Sequence, residues 1–157
     1  MTQTKASVRV AAFARAALVA AVVIILDQVT KSLVRSNIAV GDQHKFLPGV
    51  TLVHDRNTGV AFTLFAGGGA LVLAVTFAAL ALLIGYFATH PERALLWLPT
   101  GMLVGGAIGN LIDRIARGAV TDFIKLPHWP AFNVADMSIT FGVLTLLWVL
   151  EGPRAKR

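Results

Sequence analysis

Four stretches of mainly apolar residues set the limits on this chain: about 16–34, 70–88, 94–112 and 131–150. Each approaches the roughly 20 residues that a helix needs to cross the hydrocarbon core of a bilayer. The composition agrees. The chain is 56% hydrophobic and 14% charged, whereas a soluble domain is about 45–50% apolar and about 25% charged. The expected fold class is therefore an α-helical membrane protein of four transmembrane helices. Residues 1–157 would form a single integral membrane domain.

The first stretch follows Lys5, Arg9 and Arg15, as a signal peptide would. No small-x-small cleavage site follows it. Asp27-Gln28-Val29-Thr30-Lys31 stands there instead, so it reads as a retained helix. Four spans put both termini on one side. Lys5, Arg9, Arg15, Arg93, Arg154, Lys156 and Arg157 fall on the tail side. Lys31, Arg35, Lys45, Arg56, Arg114, Arg117 and Lys125 fall on the other. That count is balanced, and the first helix usually dominates orientation. Its basic flank places both tails in the cytoplasm.

The segment at about 37–69 is then external. Thr51-Leu52-Val53 and Ala61-Phe62-Thr63-Leu64-Phe65 have strand character, and Asn57-Thr58-Gly59 reads as a turn. Two or three short strands are expected to form a small extracytoplasmic β-sheet on the outer membrane face, with edges open to an extended peptide. Gly67-Gly68-Gly69 is expected to be a flexible join to the second span. In the third span, Gly101, Gly105 and Gly109 recur every four residues beside Gly106. Small residues at that spacing let helices approach closely in lipid.

The formal charge is +6 and the pI about 10.6. The basic residues lie at span ends and tails, which fits anionic membrane lipids as partners and not nucleic acid. There is no cysteine, which excludes disulfides, thiolate zinc sites and a Cys nucleophile. His44, His54, His90 and His128 form no H-E-x-x-H motif, and there is no G-x-x-x-x-G-K phosphate loop. Ser32 directly follows Lys31, so on a helix the two side chains diverge and no Ser–Lys hydrolase pair forms. Neither a metal nor a cofactor is expected.

The carboxylates carry the remaining chemistry. An ionisable group among apolar spans is costly and marks a functional site by default. Asp27 and Lys31 share a helix face at i and i+4, as a structural ion pair or as support for a site. Asn110 and Arg114 lie one turn apart near the end of the third span. They would suit a substrate backbone or carboxylate, or simply a helix end with snorkelling arginine. Asp113 can pair with Arg117 at i+4. Asp122 sits among apolar residues in a connection, where a solvated turn is the plainer reading. Asn133 and Asp136 share a face at i and i+3, with Asp136 roughly 7 Å below the span's outer end at 1.5 Å per residue. Singly these are weak signals. Together, Asp27, Lys31, Asn110, Arg114, Asp122, Asn133 and Asp136 should gather at one membrane face. Helical glue would instead be spread through the membrane depth.

Five ordered blocks carry a resemblance over nearly the whole chain. They are D-Q-x-x-K at Asp27–Lys31, N-x-G-x-A-F at Asn57–Phe62, G-x-x-x-N-x-x-x-R at Gly106–Arg114, V-x-D-F at Val120–Phe123 and F-N-x-A-D at Phe132–Asp136. In these the chain resembles lipoprotein signal peptidase, or signal peptidase II. The resemblance implies an intramembrane aspartyl endopeptidase of the bacterial inner membrane. It would remove the signal peptide from diacylglyceryl-modified prolipoproteins, cutting before the lipidated cysteine. It implies Asp122 and Asp136 as the catalytic pair. Asp27, Lys31, Asn57, Gly59, Gly106, Asn110, Arg114, Asn133 and Ala135 match substrate-binding or supporting positions. It also implies inhibition by globomycin-like compounds, and a monomer is expected. The competing readings are a small proton-coupled transporter, which would want polar residues through the full depth, and a non-catalytic lipoprotein-binding subunit.

Overall fold

The structure is a computed structural model that describes residues 5–59 and 68–152, with side chains in the second helix described from residue 74. Helix α1 spans Lys5–Asn37. Strands β1 (Gln43–Leu47) and β2 (Val50–Asn57) follow. Then come helices α2 (Gly68–Thr89) and α3 (Trp97–Arg117), strand β3 (Val120–Lys125) and helix α4 (Val134–Glu151). The chain is mostly helical with one small sheet. Among the described residues, α1 and α4 are long and apolar enough to cross a membrane, with mean hydropathies of 2.3 and 1.6 over their best windows. The described part of α2, Ala74–Thr89, is apolar but shorter. Helix α3 carries Asp113, Arg114 and Arg117 in its last turns.

Helix α3 is the hub of the bundle, and its glycines are the reason. A Cβ on Gly101 would lie 2.6 Å from the Ala16 carbonyl oxygen, and one on Gly105 2.9 Å from that of Ala20. One on Gly106 would lie 2.6 Å from the Ala135 carbonyl oxygen. Real Cβ atoms do not approach so closely, so only glycine admits α1 on one side and α4 on the other. Helix α1 answers with a stripe at helical spacing: Ala12, Ala16, Ala20, Asp27, Lys31 and Val34 are its buried residues. The four-residue glycine spacing is thus a packing device, as expected. Its last member does more. A Cβ on Gly109 would lie 2.7 Å from Asp27 Oδ2, so Gly109 makes room for a carboxylate.

The sheet has the order β1-β2-β3 and is antiparallel throughout. Leu47-Pro48-Gly49-Val50 turns β1 into β2, with Gly49 at φ 79°. Proline then glycine at the centre of such a turn suits the positive φ of the second position. Helix α3 ends at Gly118, φ 71°, whose N–H caps the Arg114 carbonyl at 3.0 Å. Two residues later the chain enters β3. Between Leu52 and Asp55 the β2–β3 register shifts by one residue, a bulge that bends the ladder. The sheet covers the C-terminal end of α1: Leu52, Phe123 and Ile124 pack with Val34 and Ile38 there, beside Val134 of α4.

The strand expected at Thr51-Leu52-Val53 lies inside β2. The strand expected at Ala61–Phe65 falls outside the described residues. Gly68 and Gly69, expected as a flexible join, are the first residues of α2. Asp122, read locally as a turn residue, sits in the third strand. The fourth apolar stretch, expected from 131, becomes helical only at Val134. Phe132 instead bridges Ile124 in extended conformation, and Asn133 caps the helix at φ −133°. Asp136 is therefore in the first helical turn, roughly 4–5 Å from its cap at 1.5 Å per residue, shallower than the sequence suggested.

Candidate active site

The residue that organises the site is Asn133. As the N-cap of α4, its side-chain Oδ1 accepts the Asp136 backbone N–H at 2.9 Å. Asp136 Oδ2 in return accepts the Asn133 backbone N–H at 3.2 Å. This reciprocal capping box satisfies two otherwise orphaned donors of the helix start. A backbone N–H only donates, so Oδ1 is committed to it and Nδ2 must face the other way. There it donates to Asp122 Oδ1 at 2.6 Å. One asparagine thus touches both aspartates, which lie 14 positions apart on a strand and a helix.

Each carboxylate has a second donor. Asn57 Nδ2 reaches Asp122 Oδ2 at 3.0 Å. Asn57 pairs with Val120 in the ladder, so Asp122 is its diagonal neighbour on the same face. The Asn57 oxygen accepts the Gly59 N–H at 2.9 Å, and Gly59 has φ 78°. This turn orients the asparagine and needs a left-handed residue at Gly59. Asn110 Nδ2 reaches Asp136 Oδ1 at 2.8 Å.

Behind this front lies a second, fully enclosed layer. Lys31 Nζ sits 2.8 Å from Asp27 Oδ2 and 3.6 Å from Asp113 Oδ2, and all three side chains are 0% exposed. It also donates to Asn110 Oδ1 at 2.9 Å. An ammonium only donates, so it turns the Asn110 oxygen inward and leaves the amide N–H for Asp136. Asn110 is committed on both sides by these bonds. Asp27 Oδ1 accepts the Ala135 N–H at 2.9 Å, tying α1 to the start of α4. Asp113 Oδ2 accepts the Thr121 N–H at 2.9 Å, holding the residue beside Asp122. Among the described residues every buried side-chain polar atom has a partner.

Asp27, Lys31, Asn57, Asn110, Asp122, Asn133, Ala135 and Asp136 therefore form one continuous bonded cluster, with Gly59, Gly106 and Gly109 shaping the backbone around it. Arg114 stands apart. It is half-buried, and among the described residues its guanidinium makes no hydrogen bond or ion pair. Asp113 was legible only as an Arg117 partner, and that contact exists at 3.8 Å. Its larger role, as an acid against Lys31, Arg35 and the β3 backbone, was missed. The available signal was its place one turn beyond Asn110 in an apolar helix. Gln28 was quoted in the D-Q-x-x-K block but given no role. It links Asp27 Oδ2 at 3.1 Å to the Gly109 carbonyl at 3.0 Å.

Comparison with known proteins decides what family this arrangement belongs to. The family model described as Signal peptidase (SPase) II matches residues 19–151. A lipoprotein signal peptidase of Moorella thermoacetica is 39% identical over 144 residues, covering 89% of this chain and 95% of that protein. One of Symbiobacterium thermophilum is 41% identical over 132 residues, covering 79% and 86%. The chain belongs to the signal peptidase II family. A solved bacterial membrane enzyme, determined by the in meso method, matches the fold with a TM-score of 0.80 at 30% identity, covering 88% of this chain and 94% of its own. The chain is thus a peptidase of the aspartic class, and its fold matches that of a bacterial membrane enzyme.

Burial dominates the electrostatics of Asp122. Asp122 is 2% exposed, and burial pushes its carboxyl up to about 6. The neighbouring Asp136 charge adds to the rise, while the Asn57 and Asn133 hydrogen bonds and Lys31 oppose it. Asp136 lies in the N-terminal turn of α4.

Proposed function

We propose that this chain cuts the signal peptide from prolipoproteins bearing a diacylglyceryl group, immediately before the lipidated cysteine, with Asp122 and Asp136 as the catalytic pair. The observation that carries the reading is the double engagement of Asn133, which donates to one carboxylate through its side chain and to the other through its backbone. Two carboxylates in one site do not both ionise easily, so the pair retains a proton. In this scheme Asp122, whose carboxyl is pushed up by burial, is the member that carries it. Asp136 takes a proton from a water molecule, and the water oxygen attacks the scissile carbonyl carbon. Asp122 donates its proton to the carbonyl oxygen. Asp136 then passes the water's proton to the leaving nitrogen as the C–N bond breaks, and the diol returns a proton to Asp122. The titration steps belong to the pair.

In this reading residues 1–157 form one integral domain in the bacterial inner membrane, crossed by all four helices. Both termini are cytoplasmic and the sheet lies on the outer face. The sheet edge holds residues beside the cleaved bond. Arg114, whose rigid donor fork is unoccupied among the described residues, holds the substrate backbone. The enzyme works as a monomer and is blocked by globomycin-like compounds. The shallow site supports this assignment, because a lipid-anchored cysteine places the bond to be cut at the membrane edge. A polar path through the membrane, which a proton-coupled transporter would want, has no counterpart in the described helices. Their bonded acids and Lys31 stand at one end.

The test is cleavage of a lipidated signal-peptide substrate, with an unlipidated control, by Asp122→Asn and Asp136→Asn. Both variants should bind substrate and leave it intact. Cleavage at the parent rate by either one would refute the dyad.

A further inference from the structure

The end of the sheet farthest from the aspartates is apolar and uncovered. Thr51 pairs with both Lys45 and Lys125, so the β1–β2 turn and the β3–α4 turn leave the sheet at the same end. Phe46 is 63% exposed, Leu47 58%, Leu126 37% and Trp129 63%. Lys45 and Lys125 flank them. The second turn is built to present its tryptophan: His128 takes φ 60°, and the Trp129 N–H closes on the Leu126 carbonyl at 3.2 Å. The sheet lies across the end of α1, with Val34 and Ile38 packed under Leu52, Phe123 and Ile124. The sheet thus sits at the end of a helix long and apolar enough to cross a bilayer.

We propose that the Phe46-Leu47/Leu126-Trp129 tip is an interfacial anchor, seated in the headgroup and upper acyl region of the leaflet on the Asp122 side. Three features select phospholipid as the occupant. An indole and a phenyl ring beside aliphatic residues match the boundary between hydrocarbon and water. Two lysines at the rim suit lipid phosphates, with their stems along the apolar surface. The patch also belongs to a chain whose helices α1 and α4 are long enough to cross that same bilayer. The anchor has a mechanical consequence. Lys125 and Asp122 lie three residues apart on one strand, so seating the tip fixes the height of the carboxylate above the lipid. The inference does not depend on peptidase activity.

Trp129 is its own reporter. In a background of Trp97→Phe and Trp148→Phe, the full chain is placed in vesicles of phosphatidylcholine and phosphatidylglycerol. Lipids brominated near the glycerol end should quench Trp129 roughly twofold more than lipids brominated near the chain ends, as an interfacial indole requires. Should that background fail to fold, the difference between the full chain and Trp129→Phe supplies the same reading. Strong quenching by aqueous acrylamide with no response to brominated lipid would overturn the proposal. So would shielding from both quenchers that appears only as protein concentration rises, because the occupant would then be a second copy of the chain.

Discussion

The two ends of this bundle handle charge in opposite ways. At the end that carries the sheet, Asp27, Lys31 and Asp113 are wholly enclosed and bonded to one another, and Asn110 and Asn133 link them to Asp122 and Asp136. At the tail end the cations stay near solvent and lean on aromatic rings. Arg9 lies 5.9 Å above Phe13, and Arg15 5.9 Å above Trp97. Arg93 binds the Tyr86 hydroxyl at 2.6 Å and closes the C-terminus of α4 through the Val149 and Leu150 carbonyls. The tail end uses cheap, replaceable contacts. The sheet end confines buried charge where it is expensive. A fold needing only stability would use the tail-end arrangement twice, so the enclosed cluster supports the site proposed above.

Substitutions should divide along the same line. The largest effect is on turnover: Asp122→Asn or Asp136→Asn should lower kcat by at least about 10³-fold, consistent with loss of general acid/base catalysis, measured with the lipidated substrate. Next is Lys31→Met, which strands Asp27 and Asp113 without their cation. It should lower unfolding stability by about 3–5 kcal/mol, read from denaturation in detergent micelles. Gly106→Ala should cost about 1–3 kcal/mol by overpacking against the Ala135 backbone. Gly85→Ala in α2, whose new Cβ would meet nothing within 4 Å, should gain about 0.5–1 kcal/mol in the same assay. At the tail end, Arg15→Gln should change stability by about 0.5–1 kcal/mol, the scale of an exposed cation–π contact. Equal responses at the two ends would abolish the contrast.

A pH measurement sharpens it further. Burial pushes the Asp122 carboxyl up to about 6 in the folded chain, against about 3.9 in an unfolded one. Between these values the native state holds more protons than the unfolded state. Stability should therefore fall as pH rises through roughly 4 to 6 and level off above. Asp122→Asn should flatten that slope in a series of thermal midpoints, whereas Arg15→Gln should leave it unchanged.

What could be read without the structure follows from how local each signal was. The helices were legible because apolar runs and glycine spacing are local. The cluster at one face was legible because helical spacing and span ends set the depth of Asp27, Lys31, Asn110 and Asp136. Strand β3 was not. Its partner β2 lies more than 60 positions earlier, and Val120, Thr121, Asp122 and Phe123 are all buried, so no alternation shows. The start of α4 was misplaced because Ala131 and Phe132 are as apolar as the helix that follows. The cap at Asn133 carried the real boundary. Asp113 was undervalued because its partners Lys31 and Arg35 come from a distant helix.

The capping box has a consequence for heat and time. Asp136 and Asn133 are at once the lock on the first turn of α4 and, in the function proposed above, a catalytic carboxylate and the side chain that positions the pair. Whenever that turn frays, both asparagine contacts go with it, and the aspartates lose their shared support before any helix leaves the bilayer. Inactivation on warming should therefore precede global melting, and hydrogen exchange at the Asp136 amide should report the fraction of molecules that are momentarily unable to work.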